Sequence, residues 1–130
     1  MRRAFLLLLL LPLAGAAPPD RILHTETLSG TFMGWERGDY LWARIAVPGR
    51  GTISAMPGPT PIGQFLEANR GRRVTVEIRT VLTTLPEAGE TDIRRIVRAR
   101  NNLGTADVWW RRLTIVQRRA AQRRYEGAID

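Results

Sequence analysis

The chain has no cysteine and no lysine, a single histidine and only two serines. The lack of cysteine rules out a disulfide framework and a thiolate nucleophile, and the lack of lysine rules out Schiff-base chemistry. A serine triad would depend on His24, and a zinc site built from several His or Cys side chains lacks its ligands. Paired carboxylates are the enzymatic option that remains, and no two acids stand out by context. The sequence therefore predicts a protein that is not an enzyme and that uses no cofactor and no metal.

The N-terminus has the composition of an export signal. Arg2 and Arg3 precede an unbroken apolar run over residues 5–11, and small residues follow at positions 14–16. The run is much shorter than the ~20 residues of a membrane-spanning helix, so we predict cleavage after Ala16. Residues 2–6 also resemble the core of a twin-arginine signal, although the general secretory route is favoured. We expect the mature protein to be periplasmic or secreted.

All 20 strongly basic residues are arginine, against 12 acids, and the formal net charge is +8. One interpretation is selection for the guanidinium group, whose bidentate fork suits phosphates and carboxylates. The other is a GC-rich genome, which the even spread of arginines along the chain favours. In either case the charge favours an acidic partner.

Alternating apolar and polar side chains predict three strands in the first half. The first runs over residues 24–35, where Gly30 and Gly34 indicate a bulge, a bend or a close approach of backbones. A turn that pivots on Gly38 leads to a second strand, Tyr40–Val47, with Leu41 and every second residue after it facing the core. A third, short strand is expected over Thr52–Met56.

A short helix and two more strands are predicted next. Thr60 is the expected N-cap of the helix, which ends at residues 69–71. The fourth strand covers Arg73–Leu82, the stretch Thr83–Thr91 is a loop, and the fifth strand covers Ile93–Arg100. In the fifth strand the inward side chains are expected to be Ile93, Val97 and Ala99.

The order of three strands, a helix and two strands resembles the OB-fold, a partly open five-stranded barrel. The resemblance covers about residues 24–100, and Ser29–Tyr40 is also similar to the opening of small exported bacterial OB-like domains. An SH3-like barrel is the alternative. We therefore predict a mainly β protein, a small five-stranded OB-like barrel with one short helix between strands 3 and 4, plus a C-terminal helix. The predicted parts are a signal peptide (1–16), a leader (17–23), the barrel (24–102) and a basic amphipathic C-terminal helix or tail (103–130).

The tail has the spacing of a helix from about Thr105 to Tyr125, with Gly127 as its stop. Its apolar stripe, which includes Trp109 and Val116, could dock on the barrel, lie on an anionic membrane or bind a partner. A β-branched run at 114–116 leaves room for a sixth strand instead. Contacts to a membrane or partner are expected from four residues: Trp109, Trp110, Arg111 and Arg112.

In the fold that the chain resembles, ligands bind the outer face of strands two and three. The candidate ligand-binding residues on or near that face are Trp35, Tyr40, Trp42, Arg44 and Arg50. Aromatic rings beside arginine suit bases, sugars or acidic peptides, unless the tail helix covers Trp42. The hypothesis is an exported, non-enzymatic binding module for an anionic partner: a protein, a glycan, a lipid head group or a nucleic acid. Export disfavours nucleic acid. The alternative is an envelope-associated structural protein anchored by its Trp- and Arg-rich C-terminal helix.

Overall fold

The computed structural model describes residues 20–130, so the predicted signal peptide and the first three residues of the leader, 17–19, lie outside the described residues. Six strands and three helices follow one another in the order β1 Arg21–Arg37, β2 Leu41–Val47, β3 Gly51–Ala55, α1 Ile62–Ala68, β4 Arg73–Leu85, β5 Gly89–Asn101, β6 Gly104–Thr105, α2 Ala106–Arg112 and α3 Ile115–Ile129. No helix within this range is long and apolar enough to cross a bilayer.

The strands form one antiparallel sheet in the order β3-β2-β1-β4-β5-β6. The predicted five-stranded barrel is therefore wrong, because the sheet has six strands and is open, with β3 and β6 at its edges. Between β3 and β5, residues 20–130 show an isolated bridge at Met56 and Arg95, with 2.9 Å hydrogen bonds on either side of Met56. Pro57 and Pro59 follow directly, and proline has no N–H with which to extend a ladder. The predicted helix between strands 3 and 4 and the predicted C-terminal helical segment are present.

The first strand is 17 residues long and belongs to both halves of the sheet. Its beginning pairs with β4 and its end pairs with β2. A Cβ on Gly30 would lie 2.4 Å from the carbonyl oxygen of Ala46, so the two backbones approach closely there. Gly34 has a φ of +123°, and the register shift beside it leaves Met33 outside the ladder. The glycines thus mark a close approach and a bulge, as the sequence predicted.

The core lies between one face of the sheet and α1. On β2 the predicted inward residues after Leu41 are buried, Leu41 itself is half-buried, and α1 adds Phe65 and Leu66.

On β4 every second residue from Val74 is predicted to face inward, and this holds as far as Ile78. Beyond Ile78 the prediction is wrong, because Thr80 and Leu82 are only half-buried and Val81, which pairs with Ile93, is buried instead. In β5 the prediction for Val97 is wrong. Glu77 pairs with Arg98 while Ile78 pairs with Ile96, so Val97 is bulged out of register, and Ile96 is the residue in the core.

Strands β4 and β5 are longer than predicted. Their ladder runs through the supposed loop at 83–91 as far as the pair Leu85 and Gly89. The turn is therefore only three residues long, and it includes Pro86, which cannot donate to a ladder.

The helices differ from the prediction at their ends. α1 begins after Pro61 without a side-chain cap, so Thr60 is not its N-cap. Thr105 caps α2 as predicted, because its hydroxyl accepts a 3.2 Å hydrogen bond from the amide of Val108. The prediction of a single helix that runs to Tyr125 is wrong, because Thr114 and Gln117 form a capping box that starts a separate helix, α3. The predicted stop at Gly127 is also wrong, since α3 continues through that residue.

The C-terminal helices pack on α1 and β1, in agreement with the docking alternative. The Tyr125 ring lies over Gly63, Ala121 is buried, and Trp109 meets Phe65 edge-on at 5.6 Å between ring centroids. Val116, which the continuous-helix pattern placed in the docking stripe, is 72% exposed. The break between α2 and α3 shifts the phase of the stripe, which explains this difference.

Candidate functional site

Trp35 lies on the core face of the sheet. The bulge at Met33 breaks the alternation, so Trp35 shares a face with Phe32, at 5.0 Å between ring centroids. Its ring also meets Tyr125 at 5.3 Å, and its Nε1 donates a 2.9 Å hydrogen bond to Glu67. This predicted ligand residue therefore joins β1 to both α1 and α3.

Glu67 receives hydrogen bonds from two side chains. Burial pushes the pKa of this carboxyl up, but the hydrogen bonds from Arg70 and Trp35 hold it below the ordinary value. Arg70 donates through two nitrogens, at 2.9 Å and 2.6 Å. The ionised carboxylate is thus part of the packing between α1 and β1.

Tyr40 and Arg50 each bond to a distant part of the chain. The Tyr40 hydroxyl donates to Glu87 in the β4–β5 turn, which raises the pKa of Tyr40. Arg50 donates a 3.0 Å hydrogen bond to Glu26 in β1, which lowers the pKa of that carboxyl. Both predicted ligand residues are already engaged within the molecule.

Trp42 and Arg44 share the face of β2 that points away from the core. Trp42 is half-buried and stands opposite Glu36, whereas Arg44 is exposed and stands opposite Ser54. Of the five predicted ligand residues, the structure brings these two together on one outward face and leaves the other three in internal contacts.

The four residues predicted for membrane or partner contact differ in their surroundings. Trp109 packs against Phe65, and the guanidinium carbon of Arg118 lies over the Trp110 ring, 5.7 Å from its centroid. Arg111 and Arg112 are exposed in the last turn of α2. The open apolar surface near them belongs to Ile115 and Val116, which are 65% and 72% exposed.

The outer face of β1, β4 and β5 carries a regular arrangement that the sequence analysis missed. Side chains opposite one another in the ladders form three rows across the strands: Thr25, Arg79 and Arg95; Thr27, Glu77 and Arg98; Ser29, Thr75 and Arg100. Hydroxyls thus line β1 and arginines line β5, with about 6.7 Å between neighbours along a strand. We call this surface, together with Arg73, the arginine face.

Two open cavities of about 570 Å³ and 520 Å³ border the arginine face. The larger lies between the second and third rows, the loop at 59–62 and the start of α2. The smaller lies between Arg72, Arg73 and the β5–β6 turn. Thr75 and Arg100 line both cavities, so the two cavities adjoin at these residues, and we call the pair of cavities the β5 groove.

The arginines of the β5 groove are free of ion pairs. Within residues 20–130, no carboxylate lies within 4.0 Å of Arg72, Arg73, Arg98 or Arg100. All four are exposed, and the hydroxyls of Ser29 and Thr75 lie between the strands at 2.7 Å from each other. Unpaired guanidinium groups beside hydroxyl donors are the chemistry that holds phosphate or carboxylate.

Comparisons with protein-family models, curated proteins and solved structures found no match to this chain. Its class therefore follows from its own geometry: a mainly β, six-stranded antiparallel open sheet with three helices. In the part of the chain that the structure describes, no three His, Cys, Asp or Glu side chains come together as a metal site would require.

Proposed function

We propose that this chain is an exported, non-enzymatic binding module for an anionic partner, held on the arginine face. The observation that carries the proposal is the set of four exposed arginines in the β5 groove, which have no carboxylate partner among the described residues. Three strands of the sheet, β1, β4 and β5, hold Arg73, Arg98, Arg100 and the neighbouring hydroxyls in register, and Arg72 directly precedes β4.

The physical basis is charge-assisted hydrogen bonding from a rigid surface. Arg98 and Arg100 are alternate residues of β5, so both guanidinium groups extend from the same face. Their forks donate in pairs to planar or tetrahedral anions. Without Arg2 and Arg3 the mature chain keeps 18 arginines against 12 acids, and this formal charge of +6 also steers anions toward the protein. Added salt weakens that attraction.

The export part of the proposal rests on the N-terminal sequence. Its basic start, short apolar run and small residues at 14–16 fit a cleavable signal. The partner is therefore sought outside the cytoplasm, where proteins, glycans and lipid head groups are more abundant than free nucleic acid.

The test is to titrate the mature chain, residues 17–130, with a panel of anionic and neutral ligands at about 50 and about 200 mM salt. Binding to an anionic ligand should weaken about tenfold or more in the double variant Arg98→Gln/Arg100→Gln. The control Arg21→Gln/Arg123→Gln changes the net charge equally at exposed sites on β1 and α3. It should bind with nearly the affinity of the parent protein.

A third variant separates the β5 groove from the surface predicted from the sequence. Trp42→Ala/Arg44→Gln alters the outward face of β2 and leaves the groove intact. Loss of binding in this variant alone would place the partner on β2 and overturn the proposed location. Absence of binding to every anion would overturn the function itself.

A second candidate is the envelope-associated protein, favoured by the exposed pair Ile115 and Val116 beside Arg111 and Arg112. Apolar side chains flanked by arginines suit an anionic bilayer surface. The double variant Ile115→Ser/Val116→Ser should then lose co-sedimentation with phosphatidylglycerol vesicles. A truncation would be a poor test, because the C-terminal helices complete the core. Unchanged co-sedimentation in the serine variant would remove this candidate.

A further inference from the structure

The β5 groove mixes charges of both signs, and this narrows the choice of anionic partner. Glu77 and Asp107 line the larger cavity together with Arg98 and Arg100. A uniformly anionic chain, such as a nucleic acid or a polyglutamate, would meet two carboxylates in that cavity, which weaken its attraction to the arginines. Glu77 is the less repulsive of the two, because it lies 3.6 Å from Arg79. A ligand that itself carries many hydroxyls can donate to the carboxylates and accept from the guanidinium groups.

The remaining lining of the larger cavity fits the same kind of ligand. Four threonines supply hydroxyls that both donate and accept: Thr27, Thr60, Thr75 and Thr105. Pro59, Pro61 and Ile62 form an apolar side, against which the C–H groups of a sugar ring can pack. The volume of about 570 Å³ lies in the usual range of small-ligand sites.

The smaller cavity has a different charge. It is lined by Arg72, Arg73 and Arg100, with no Asp or Glu among its lining residues. Two hydrogen bonds fix the Asn69 side chain beside the smaller cavity: it donates to the carbonyl of Phe65 at 2.8 Å and accepts from the Asn101 side chain at 3.0 Å. An acidic group of the ligand would be favoured at this end and disfavoured at the other.

From these observations we infer that the anionic partner is an acidic oligosaccharide. Its sugar hydroxyls lie in the larger cavity near Glu77 and Asp107, and its acidic group lies in the smaller cavity between Arg73 and Arg100. This inference rests on the proposed function and names the class of ligand for the same groove.

The experiment compares two trisaccharides that differ only in charge by calorimetric titration of the mature chain: sialyllactose, which carries a single carboxylate on its terminal sugar, and its carboxyl-reduced neutral form. Sialyllactose should bind about tenfold or more tightly than the neutral form. Arg73→Gln/Arg100→Gln should remove most of that difference, and it should weaken the neutral sugar less than the acidic one, because Arg100 also lines the larger cavity. Arg73→Lys/Arg100→Lys should restore only part of it, because lysine keeps the charge and loses the fork.

The sign of the effect at the two acids separates a glycan from a simple polyanion. Glu77→Gln and Asp107→Asn should each weaken sialyllactose about threefold or more, because an acceptor charge for the sugar hydroxyls is lost, and should strengthen polyglutamate. Stronger binding of both ligands in these variants would overturn the glycan assignment and leave the proposed function standing. If the arginine variants change the binding of no anion, the proposed function fails as well. Thermal unfolding of each variant verifies that it is folded.

Discussion

Replacing Gly63 with alanine should destabilise this protein, although the same change stabilises most helices. Gly63 lies inside α1 and is buried. A Cβ built there would lie 2.5–2.7 Å from three atoms of Tyr125, two ring carbons and the hydroxyl oxygen. The ring cannot simply move away, because its other contact is the half-buried Trp35, at 5.3 Å.

Two opposing effects set the expected magnitude. Alanine in place of glycine within a helix contributes about 1 kcal/mol of stability. Overpacking at a buried contact costs about 1–3 kcal/mol, and the contact here is shorter than any that real side chains tolerate. The cost should win, with a net loss of up to about 2 kcal/mol.

Urea unfolding followed by circular dichroism and tryptophan fluorescence measures this loss. The matched control is Gly127→Ala in α3, where an added Cβ meets nothing within 4 Å, so alanine should raise stability by about 0.5–1 kcal/mol. In a Tyr125→Ala background, Gly63→Ala should also become stabilising, and the double-mutant cycle isolates the clash. A stabilising effect of Gly63→Ala in the parent protein would refute the reasoning.

Three further predictions concern other parts of the fold. Gly30→Ala should cost about 3 kcal/mol or more in urea unfolding, because the new Cβ meets the backbone of Ala46 rather than a movable side chain. The pKa of Glu67 is lower in the folded chain than in the unfolded chain, so the unfolded state takes up the proton first as the pH falls. Stability from this group is present above the ordinary glutamate pKa of about 4.3 and is lost below it, and Glu67→Gln should flatten the acid side of the stability–pH curve. An unchanged acid slope in that variant would contradict the assignment. Thr114→Ala removes the capping box of α3 and should lower the unfolding free energy by about 1 kcal/mol. The control is Gln117→Glu at the other position of the box, which should have a smaller effect because glutamate keeps the oxygen that accepts from the Thr114 amide.

Much of the sheet was predictable from the sequence because alternation is a local property. The faces of β2 and of β4 as far as Ile78 follow from every second side chain, and the glycines of β1 mark its close approach and its bulge. The capping role of Thr105 was also readable, since it depends on residues only three positions apart.

The errors arose where pairing between distant strands overrides the local pattern. The bulge at Val97 changes which residues of β5 are buried, and it exists only in relation to β4. The open sheet follows from how β3 meets β5, where Met56 forms a bridge and the prolines after it prevent a ladder. The break at Thr114 did have a sequence signal, a threonine followed three residues later by glutamine, which the continuous helical spacing obscured.

The candidate site was the least predictable part. The sequence shows that Arg98 and Arg100 alternate and that hydroxyls alternate along residues 25–31. It does not show that these two columns face the same side of one sheet, because that depends on the register of β1, β4 and β5. The aromatic residues were chosen by type, and the bulge at Met33 gave Trp35 a structural position instead.

The position of Tyr125 over Gly63 has a consequence for synthesis. A nascent chain that lacks α3 leaves Gly63 and Trp35 without the Tyr125 ring that packs on them, so these contacts form late. The complete packing of α1 is thereby delayed until α3 has left the ribosome. A protein proposed to pass through a translocation channel as an extended thread would gain from that delay.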